Sequence, residues 1–141
     1  MPTAVLDSTV LIASRNADEY EASSAIVDGI DRGVLPKARD TNYVVAEVLN
    51  LLYGRHSHEL AVDTYERLER GASFEIDHCT KDDFERGVGL FHTYGGLAFV
   101  DALLAAYMQH RDIEYIYSFD DDFDALDSIT RLQTAANPFG W

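Results

Sequence analysis

Four acidic side chains, Asp7, Glu47, Asp101 and Asp120, lie in stretches of sequence that are otherwise apolar; we call them the acidic quartet. Asp7 and Asp120 each follow a run typical of a buried strand, whereas Glu47 and Asp101 interrupt helical patterns rich in apolar residues. An unpaired carboxylate is costly to bury, so its presence in such a place requires a compensating charge. A divalent cation shared by several carboxylates provides that charge. The pattern therefore predicts a metal-dependent enzyme.

The types of these side chains indicate the metal and the reaction. Oxygen-only ligands favour Mg²⁺ or Mn²⁺ over zinc. Three or four carboxylates within a few ångströms of one another would repel and take up protons unless a cation lay between them. One or two such ions can lower the pKa of a water, orient it in line with a phosphodiester and neutralise charge on the departing oxygen. Phosphodiester hydrolysis is the predicted reaction.

Each acid of the quartet also has a structural interpretation. The chain holds 25 acidic residues, so an Asp that follows a strand can simply be solvated or can cap a helix. Glu47 can face solvent between two apolar stripes. Asp101 can anchor its helix to a loop by a hydrogen bond. Asp101 is the strongest single candidate, because the helix around it is apolar on nearly every side.

The elements that must position these acids follow from hydrophobic periodicity and from helix-capping signals. Strands are predicted at residues 4–6, 34–39, 73–77, 115–119 and 130–133, the second of them a short or edge strand because it contains Pro36. Helices are predicted at residues 10–13 with Ser8 or Thr9 as the cap, 19–32 ended by Gly33, 41–52 capped by Thr41, 58–70, 80–92 capped by Thr80, and 97–110. A turn at Gly95 and Gly96 separates the last two.

Strands that alternate with helices predict an α/β fold: a doubly wound, mostly parallel sheet with helices on both faces. We expect one domain over residues 1–141. In such sheets ligands bind beyond the carboxyl ends of the strands, where the strand order reverses. Asp7 and Asp120 would point into this crevice, and Glu47 and Asp101 could reach it from helices.

The charge balance is strongly acidic, with 25 acids against nine arginines and two lysines and a formal net charge of −14. Such a surface suits a salt-rich cytoplasm, because molar salt shortens the Debye length to about 3 Å and screens self-repulsion. We therefore expect a halophilic source. Proteins that bind nucleic acids usually carry a basic footprint, so any RNA must be held by metal and a few arginines. Arg15, Arg39 and Arg55 are candidates, although solvated surface is the favoured interpretation of each.

Location follows from what the sequence does not contain. The longest apolar stretch, residues 97–108, is about a dozen residues long and includes Asp101, so it is too short and too polar to span a bilayer. The N-terminus has neither a basic start nor a cleavable apolar segment. A single cysteine, Cys79, cannot form an internal disulfide, which agrees with a reducing compartment. We expect a cytoplasmic protein with no membrane contact.

The segments around the quartet resemble the four acidic motifs of PIN-domain nucleases, in order and spacing, over nearly the whole chain. These are Asp7 in Val-Leu-Asp-Ser-Thr-Val-Leu-Ile, Glu47 in Val-Ala-Glu-Val-Leu, Asp101 in Phe-Val-Asp-Ala-Leu and Asp120 in Ser-Phe-Asp-Asp-Asp-Phe. The size of the chain is most similar to that of VapC-type toxins of toxin–antitoxin pairs. The resemblance implies Mg²⁺- or Mn²⁺-dependent endonuclease action on RNA, often a structured RNA such as tRNA. It also implies a homodimer and inhibition by a small antitoxin whose tail occupies the active-site groove.

The resemblance also assigns roles to individual residues. The quartet would ligate metal directly or through water. Thr9 stands where the family often has Asn, and Ser118 where it commonly has Thr. Both are expected to orient metal ligands or a water by hydrogen bonds, without binding the metal themselves. Asp122 is an extra acid that either completes the site or caps the next turn.

Other functions fit the sequence less well. Residues 120–131 place Asp at the first positions of a calcium loop, but Ala125 and Arg131 stand where Gly and Glu are required. The histidines and Cys79 have no convincing zinc spacing. A phospho-receiver domain would need a lysine after the last strand, and a haloacid-dehalogenase-like phosphatase would need an acid at Thr9. The remaining alternative is a non-catalytic PIN fold that only binds RNA or a protein partner.

Overall fold

A five-stranded, all-parallel sheet forms the centre of the protein in the computed structural model, which describes residues 2–13 and 20–140. The strands are β1 Thr3–Leu6, β2 Lys37–Thr41, β3 Phe74–Asp77, β4 Tyr115–Tyr117 and β5 Thr130–Leu132, in the order β3-β2-β1-β4-β5. The helices are α1 Ser8–Ala13, α2 Tyr20–Asp31, α3 Asn42–Arg55, α4 His58–Arg70, α5 Lys81–Thr93 and α6 Phe99–His110, with a 3₁₀ helix at Asp121–Ala125. The predicted α/β, doubly wound fold is confirmed.

Strand β1 lies in the middle of the sheet, and the order of the strands reverses beside it. The chain passes from β1 to β2 and β3 on one side, then returns to place β4 and β5 on the other. Val5 of β1 is therefore opposite Arg39 of β2 and also opposite Ile116 of β4. The crevice where ligands bind in such sheets opens at the carboxyl ends of β1 and β4. Asp7 and Ser118 directly follow these two strands.

The prediction for the second strand was wrong in position and in environment. The strand runs from Lys37 to Thr41 rather than over 34–39, and it lies inside the sheet, paired with both β1 and β3. Pro36 precedes the strand, so its missing N–H removes no hydrogen bond of the ladder. As a consequence Asp40 belongs to an interior strand.

The predicted cap of the first helix was also wrong. Helix α1 begins at Ser8, so neither Ser8 nor Thr9 precedes it. The backbone carbonyl of Asp7 accepts the N–H groups of Val10 and Leu11, at 3.1 and 3.3 Å. Asp7 is therefore fixed at the junction between strand and helix, and the Thr9 hydroxyl is left available for another partner.

Most other helix signals are confirmed. Gly33 follows α2 with a φ of 76°, a conformation that glycine adopts without strain. Thr41 accepts the Val44 N–H, and Thr80 forms a capping box with Asp83. Helix α3 ends at Arg55, three residues beyond its predicted end, and the remaining predicted boundaries match to within two residues; Glu19 lies outside the described residues.

Helix α6 supplies much of the core and carries Asp101 in its first turn. All seven residues from Ala102 to Met108 are buried. Helix α5 packs so closely against it that a Cβ atom at Gly87 would lie 2.9 Å from the Leu103 Cα, so a larger residue there would push the helices apart. This packing fixes the position of α6 relative to α5. Within the described residues, no helix combines the length and apolar character needed to cross a membrane.

Candidate active site

Asp7 is almost completely buried, with 1% of its surface exposed, at the carboxyl end of β1. Its Oδ2 atom accepts hydrogen bonds from the Thr9 hydroxyl at 2.8 Å and from the Ser118 hydroxyl at 2.7 Å. Burial raises the pKa of the Asp7 carboxyl, the nearby Asp120 adds to the rise, and the two hydroxyls oppose it. The two hydrogen bonds fix the direction in which this carboxyl faces.

Ser118 and Thr9 connect the ends of β1 and β4. The Ser118 Oγ donates to Asp7 and accepts the backbone N–H of Asp120 at 2.9 Å. The Thr9 Oγ1 donates to Asp7 and accepts the backbone N–H of Phe119 at 3.1 Å. Both hydroxyls therefore lie behind Asp7 and also hold the main chain that leads to Asp120. The sequence placed them near the site but did not identify Asp7 as their shared partner.

Asp101 is half-buried in the first turn of α6. Burial, followed by the charges of Asp7, Glu47, Asp120 and Asp122, raises the pKa of this carboxyl to about 8. Like charges have this effect only across short distances in a poorly screened environment. The four acids of the quartet span more than a hundred residues of sequence, yet Asp7, Glu47 and Asp120 lie near enough to Asp101 for their charges to act on it. Half-buried Glu47 is contributed by α3.

The turn after β4 adds further acids. The Asp120 Oδ1 accepts the Asp122 N–H at 2.9 Å, so Asp120 caps the 3₁₀ helix and Asp122 does not. Asp122 is exposed, and the charge of Asp120 raises its pKa. Asp120, Asp121 and Asp122 can each bring one oxygen within 4.8 Å of the others. The glycine turn before α6 borders this group, because a Cβ atom at Gly96 would lie 3.9 Å from the Asp122 Oδ1.

Asp40 is an acid near the site that the sequence analysis missed. It lies on β2, beside β1, with 0% of its surface exposed, and neither of its carboxyl oxygens has a hydrogen-bond partner. Burial raises the pKa of Asp40 well above its usual range, and Asp7 adds to the rise; the Leu6 N–H opposes it weakly, from outside hydrogen-bonding geometry. An acid at the end of a strand was the signal that identified Asp7, and it applied equally to Asp40.

The residues present fit a hard divalent cation. Among the described residues, no Lys, Arg or His forms an ion pair with any member of the quartet. Burial raises the pKa values of Asp7 and Asp101, and neighbouring acids that no cation balances add to the rise. A cation bound by their oxygens would remove this cost. That the quartet ligates metal and carries out catalysis remains a prediction.

The arginines proposed as phosphate contacts have different surroundings. Arg39 lies in the middle of β2, with 27% of its side chain exposed, and pairs with Glu75 at 2.9 Å. Arg55 is the last residue of α3 and is exposed. Arg15 falls outside the described residues.

A third buried acid, Asp83, belongs to a different group, which we call the Asp83 network: Asp77, Asp83, Tyr107, His110 and Arg111. Asp83 has 0% of its surface exposed; the Arg111 Nη1 donates to it at 2.8 Å, and the His110 Nδ1 lies 2.6 Å from its other oxygen. Arg111 also stacks on the Tyr107 ring at 4.2 Å, and the Tyr107 hydroxyl donates to Asp77 at 2.8 Å. Asp82, Asp83 and His110 could approach one ion, but Asp83 already has protein partners for both oxygens.

Comparison with known proteins places the chain in a family. A family model described as "PIN domain" matches residues 4–129, whereas no curated protein matches the chain. Among solved structures, VapC20 of Mycobacterium tuberculosis, described as a sarcin-ricin loop cleaving toxin, has a TM-score of 0.76 at 22% identity and covers 88% of this chain and 95% of its own. VapBC2 of Rickettsia felis, bound to a DNA fragment from its promoter, has a TM-score of 0.71 at 10% identity, with 92% and 97% covered.

VapBC-5, a toxin–antitoxin system from Mycobacterium tuberculosis, gives a TM-score of 0.60 at 21% identity and covers 95% of this chain and all of its own. At these identities the structural likeness shows a shared fold. The family model, by contrast, spans most of the chain, including every member of the acidic quartet. The chain therefore belongs to the PIN domain family.

Proposed function

We propose that this protein is a Mg²⁺- or Mn²⁺-dependent endoribonuclease that hydrolyses phosphodiester bonds through the acidic quartet, as one domain over residues 1–141. Membership of the PIN family implies a nuclease. The observation that carries the proposal is that Asp7, Glu47 and Asp120 lie near enough to act on half-buried Asp101, while no member of the quartet has a cationic partner among the described residues. A protein gains nothing in stability from such an arrangement, so an external cation is the simplest reason for it.

The quartet would hold the metal, and the hydroxyls behind it would fix its geometry. Asp7 follows β1 and Asp101 lies in the first turn of α6, and Glu47 of α3 and Asp120 after β4 would supply the other ligands. Thr9 and Ser118 keep Asp7 in one orientation, so the carboxyl does not need to be ordered when the ion arrives. The bound ion would supply an acidified water and neutralise charge on the departing oxygen. Asp122, exposed beside Asp120, is positioned to contribute a further oxygen.

The structural neighbours support a role as the toxin of a toxin–antitoxin pair. Several of them are toxin–antitoxin assemblies, and one is described as cleaving the sarcin-ricin loop. A small antitoxin that covers the active-site groove, a homodimeric toxin, a structured RNA substrate such as tRNA and a cytoplasmic location belong to the same proposal. A net charge of −14 favours an antitoxin that presents basic side chains.

A direct test is incubation of the purified protein with total cellular RNA and with a tRNA pool at high KCl, in the presence of Mn²⁺, Mg²⁺ or EDTA. Asp101→Asn removes one charge of the quartet. Asp112→Asn is the matched control: Asp112 is exposed beyond the opposite end of α6, and its φ of 54° is one that Asn tolerates. We expect discrete fragments with the wild type and the control in Mn²⁺ or Mg²⁺, and none with Asp101→Asn or EDTA.

Absence of cleavage with every metal and every RNA pool would favour the non-catalytic alternative, a PIN fold that only binds RNA or a protein.

Cation binding can be measured independently of cleavage. Mg²⁺ should raise the melting temperature of the wild type by mass action. A sodium control at equal ionic strength is required, because salt alone also stabilises so acidic a chain; equal melting temperatures in the two solutions would count against a specific ion.

A further inference from the structure

Arg131 of β5 is a nearly buried cation close to the acidic turn that carries Asp120. Only 11% of its side chain is exposed. Its Nε atom donates to the Asp124 Oδ1 at 3.0 Å, and its Nη2 atom donates to the Asp124 Oδ2 at 3.0 Å. This is a bidentate contact between a planar guanidinium and a carboxylate, the geometry in which arginine recognises a carboxylate most specifically. It ties β5 to the 3₁₀ helix.

The same guanidinium also contacts the end of β4. Its Nη1 atom donates to the Ser118 carbonyl at 3.4 Å. With the Gln133 amide oxygen turned toward the guanidinium, Gln133 accepts from Nη1 at 3.0 Å and from Nη2 at 3.1 Å. Arg131 therefore holds the chain at Ser118, two residues before Asp120, and at Asp124, four residues after it.

We propose that Arg131 is a positioning residue for the cation site, which it serves by fixing both flanks of Asp120. This inference rests on the proposed function. Asp120 is held locally through the Ser118 hydroxyl and by its own contact with the Asp122 N–H. Both of these contacts belong to the segment between Ser118 and Asp124. If that segment shifted, Asp120 would move relative to Asp7 and Asp101, which are carried by other elements.

The acidic turn also needs an opposing charge to stay closed. Asp120, Asp121, Asp122 and Asp124 fall within five residues, and their mutual repulsion favours an open segment. The Arg131 guanidinium lies close enough to be influenced by Asp124, Asp121 and Asp120. It stabilises the turn through Asp124, without forming an ion pair with any quartet member.

Positioning and charge predict opposite effects on metal affinity. If Arg131 acted on the site only through its positive charge, removing that charge would strengthen cation binding. If Arg131 positions Asp120, removing it would weaken cation binding. Arg131→Lys separates the two effects further, because lysine keeps the charge but cannot form the bidentate contact.

The test is calorimetric titration of the intact protein with Mn²⁺ at fixed high KCl, combined with measurement of kcat and KM for RNA cleavage. We expect Arg131→Lys and Arg131→Gln to bind Mn²⁺ about tenfold more weakly than the wild type. Losses of this size are usual when a residue that orients a metal ligand is removed. Cleavage should fall in kcat, with KM little changed. The matched control is Arg86→Lys, because Arg86 forms an exposed pair with Asp82 on α5; it should bind and cleave as the wild type does.

Wild-type Mn²⁺ affinity in Arg131→Lys would overturn the inference, even if the melting temperature fell, since a purely structural role lowers stability alone. Tighter binding by Arg131→Gln would also overturn it. If Arg131→Lys does not fold, Asp124→Glu decides by the same titration, because it keeps the charge and alters the geometry of the contact from an exposed side chain. A wild type that neither binds Mn²⁺ nor cleaves RNA would refute the proposed function and this inference together. If the wild type binds Mn²⁺ and cleaves RNA, and the Arg131 variants do so with the same affinity and rate, the inference alone is refuted.

Discussion

Two buried aspartates, Asp7 and Asp83, differ in how their charge is balanced. Asp7 has 1% and Asp83 has 0% of its surface exposed. Burial raises the pKa of Asp7, and the neighbouring acid Asp120 adds to the rise. Its hydrogen-bond partners are neutral hydroxyls, which oppose the rise without cancelling it. Burial would also raise the pKa of Asp83, but His110, the Thr80 N–H and Arg111 hold it below its ordinary value. The same side chain is unstable as an anion in one region and stabilised as an anion in the other.

The contrast separates a structural acid from a candidate catalytic acid. The Asp83 network contains its own cation, Arg111, and a hydrogen bond between Asp83 and His110, so its acids contribute to the packing of α5 against α6. The acidic quartet and Asp40 have no such partners among the described residues, so the fold alone does not explain them. Mutations should therefore affect activity in one region and stability in the other.

The largest expected effect is loss of cleavage in Asp101→Asn. We expect activity to fall by more than about a hundredfold, because even residues behind a metal ligand contribute about 10- to 100-fold. The free energy of unfolding without metal should stay equal or rise, because Asn avoids the cost of keeping the Asp101 carboxyl protonated among other acids. Cleavage rates and urea unfolding in EDTA give both numbers. Near-normal cleavage would remove Asp101 from the site.

The next effect is a loss of stability in Asp83→Asn. The substitution leaves Arg111 and His110 without an anionic partner and weakens the capping box of α5. We expect the free energy of unfolding to fall by about 2 kcal/mol, with kcat retained at temperatures where the variant is folded. Asp82→Asn is the control: Asp82 forms an exposed pair with Arg86, and such pairs contribute less than about 1 kcal/mol. A variant as stable as the wild type would contradict the structural role of Asp83.

A smaller effect concerns pH. The pKa of Asp101 is about 8 in the folded, metal-free protein and near 3.8 when unfolded, so the folded state retains a proton that the unfolded state loses. The contribution of the Asp101 carboxyl to the free energy of unfolding is complete below pH 3.8 and is lost as the pH rises toward 8. We expect the wild type to lose about 1.5 kcal/mol relative to Asp101→Asn between about pH 5 and pH 8, after allowance for solvent screening. Urea unfolding at constant KCl in EDTA measures this; parallel pH curves for the two proteins would refute it.

The smallest effect is expected at Asp40. Asp40→Val replaces a carboxyl that has no partner with an apolar side chain suited to a strand. The free energy of unfolding in EDTA should rise by about 1 kcal/mol, because a buried unsatisfied polar group is removed. Asp40→Asn, which keeps the size and a polar group, serves as the comparison. Destabilisation by Asp40→Val would show that the carboxyl has a partner and belongs with the compensated acids.

Part of the site could be predicted from local pattern. Asp7 and Asp120 were identified because acids rarely follow buried strands without a reason, and Asp101 because its helix is apolar all round. Asp40 satisfied the same rule but was missed, since Pro36 suggested an edge strand that ended at residue 39. In the folded chain the proline precedes an interior strand and Asp40 is completely buried. The edge-strand interpretation thus concealed an unpartnered acid.

The sequence by itself determined the alternation of strands and helices, most helix ends and the positions of the quartet, because periodicity and capping depend on residues only a few positions apart. Only the tertiary structure decided that β4 pairs with β1, and this pairing brings the Ser118 hydroxyl to Asp7 across 111 residues. It also decided which buried acids receive a cation, Arg111 for Asp83 and none among the described residues for Asp7. Such contacts depend on strand order and helix packing, which no local pattern encodes.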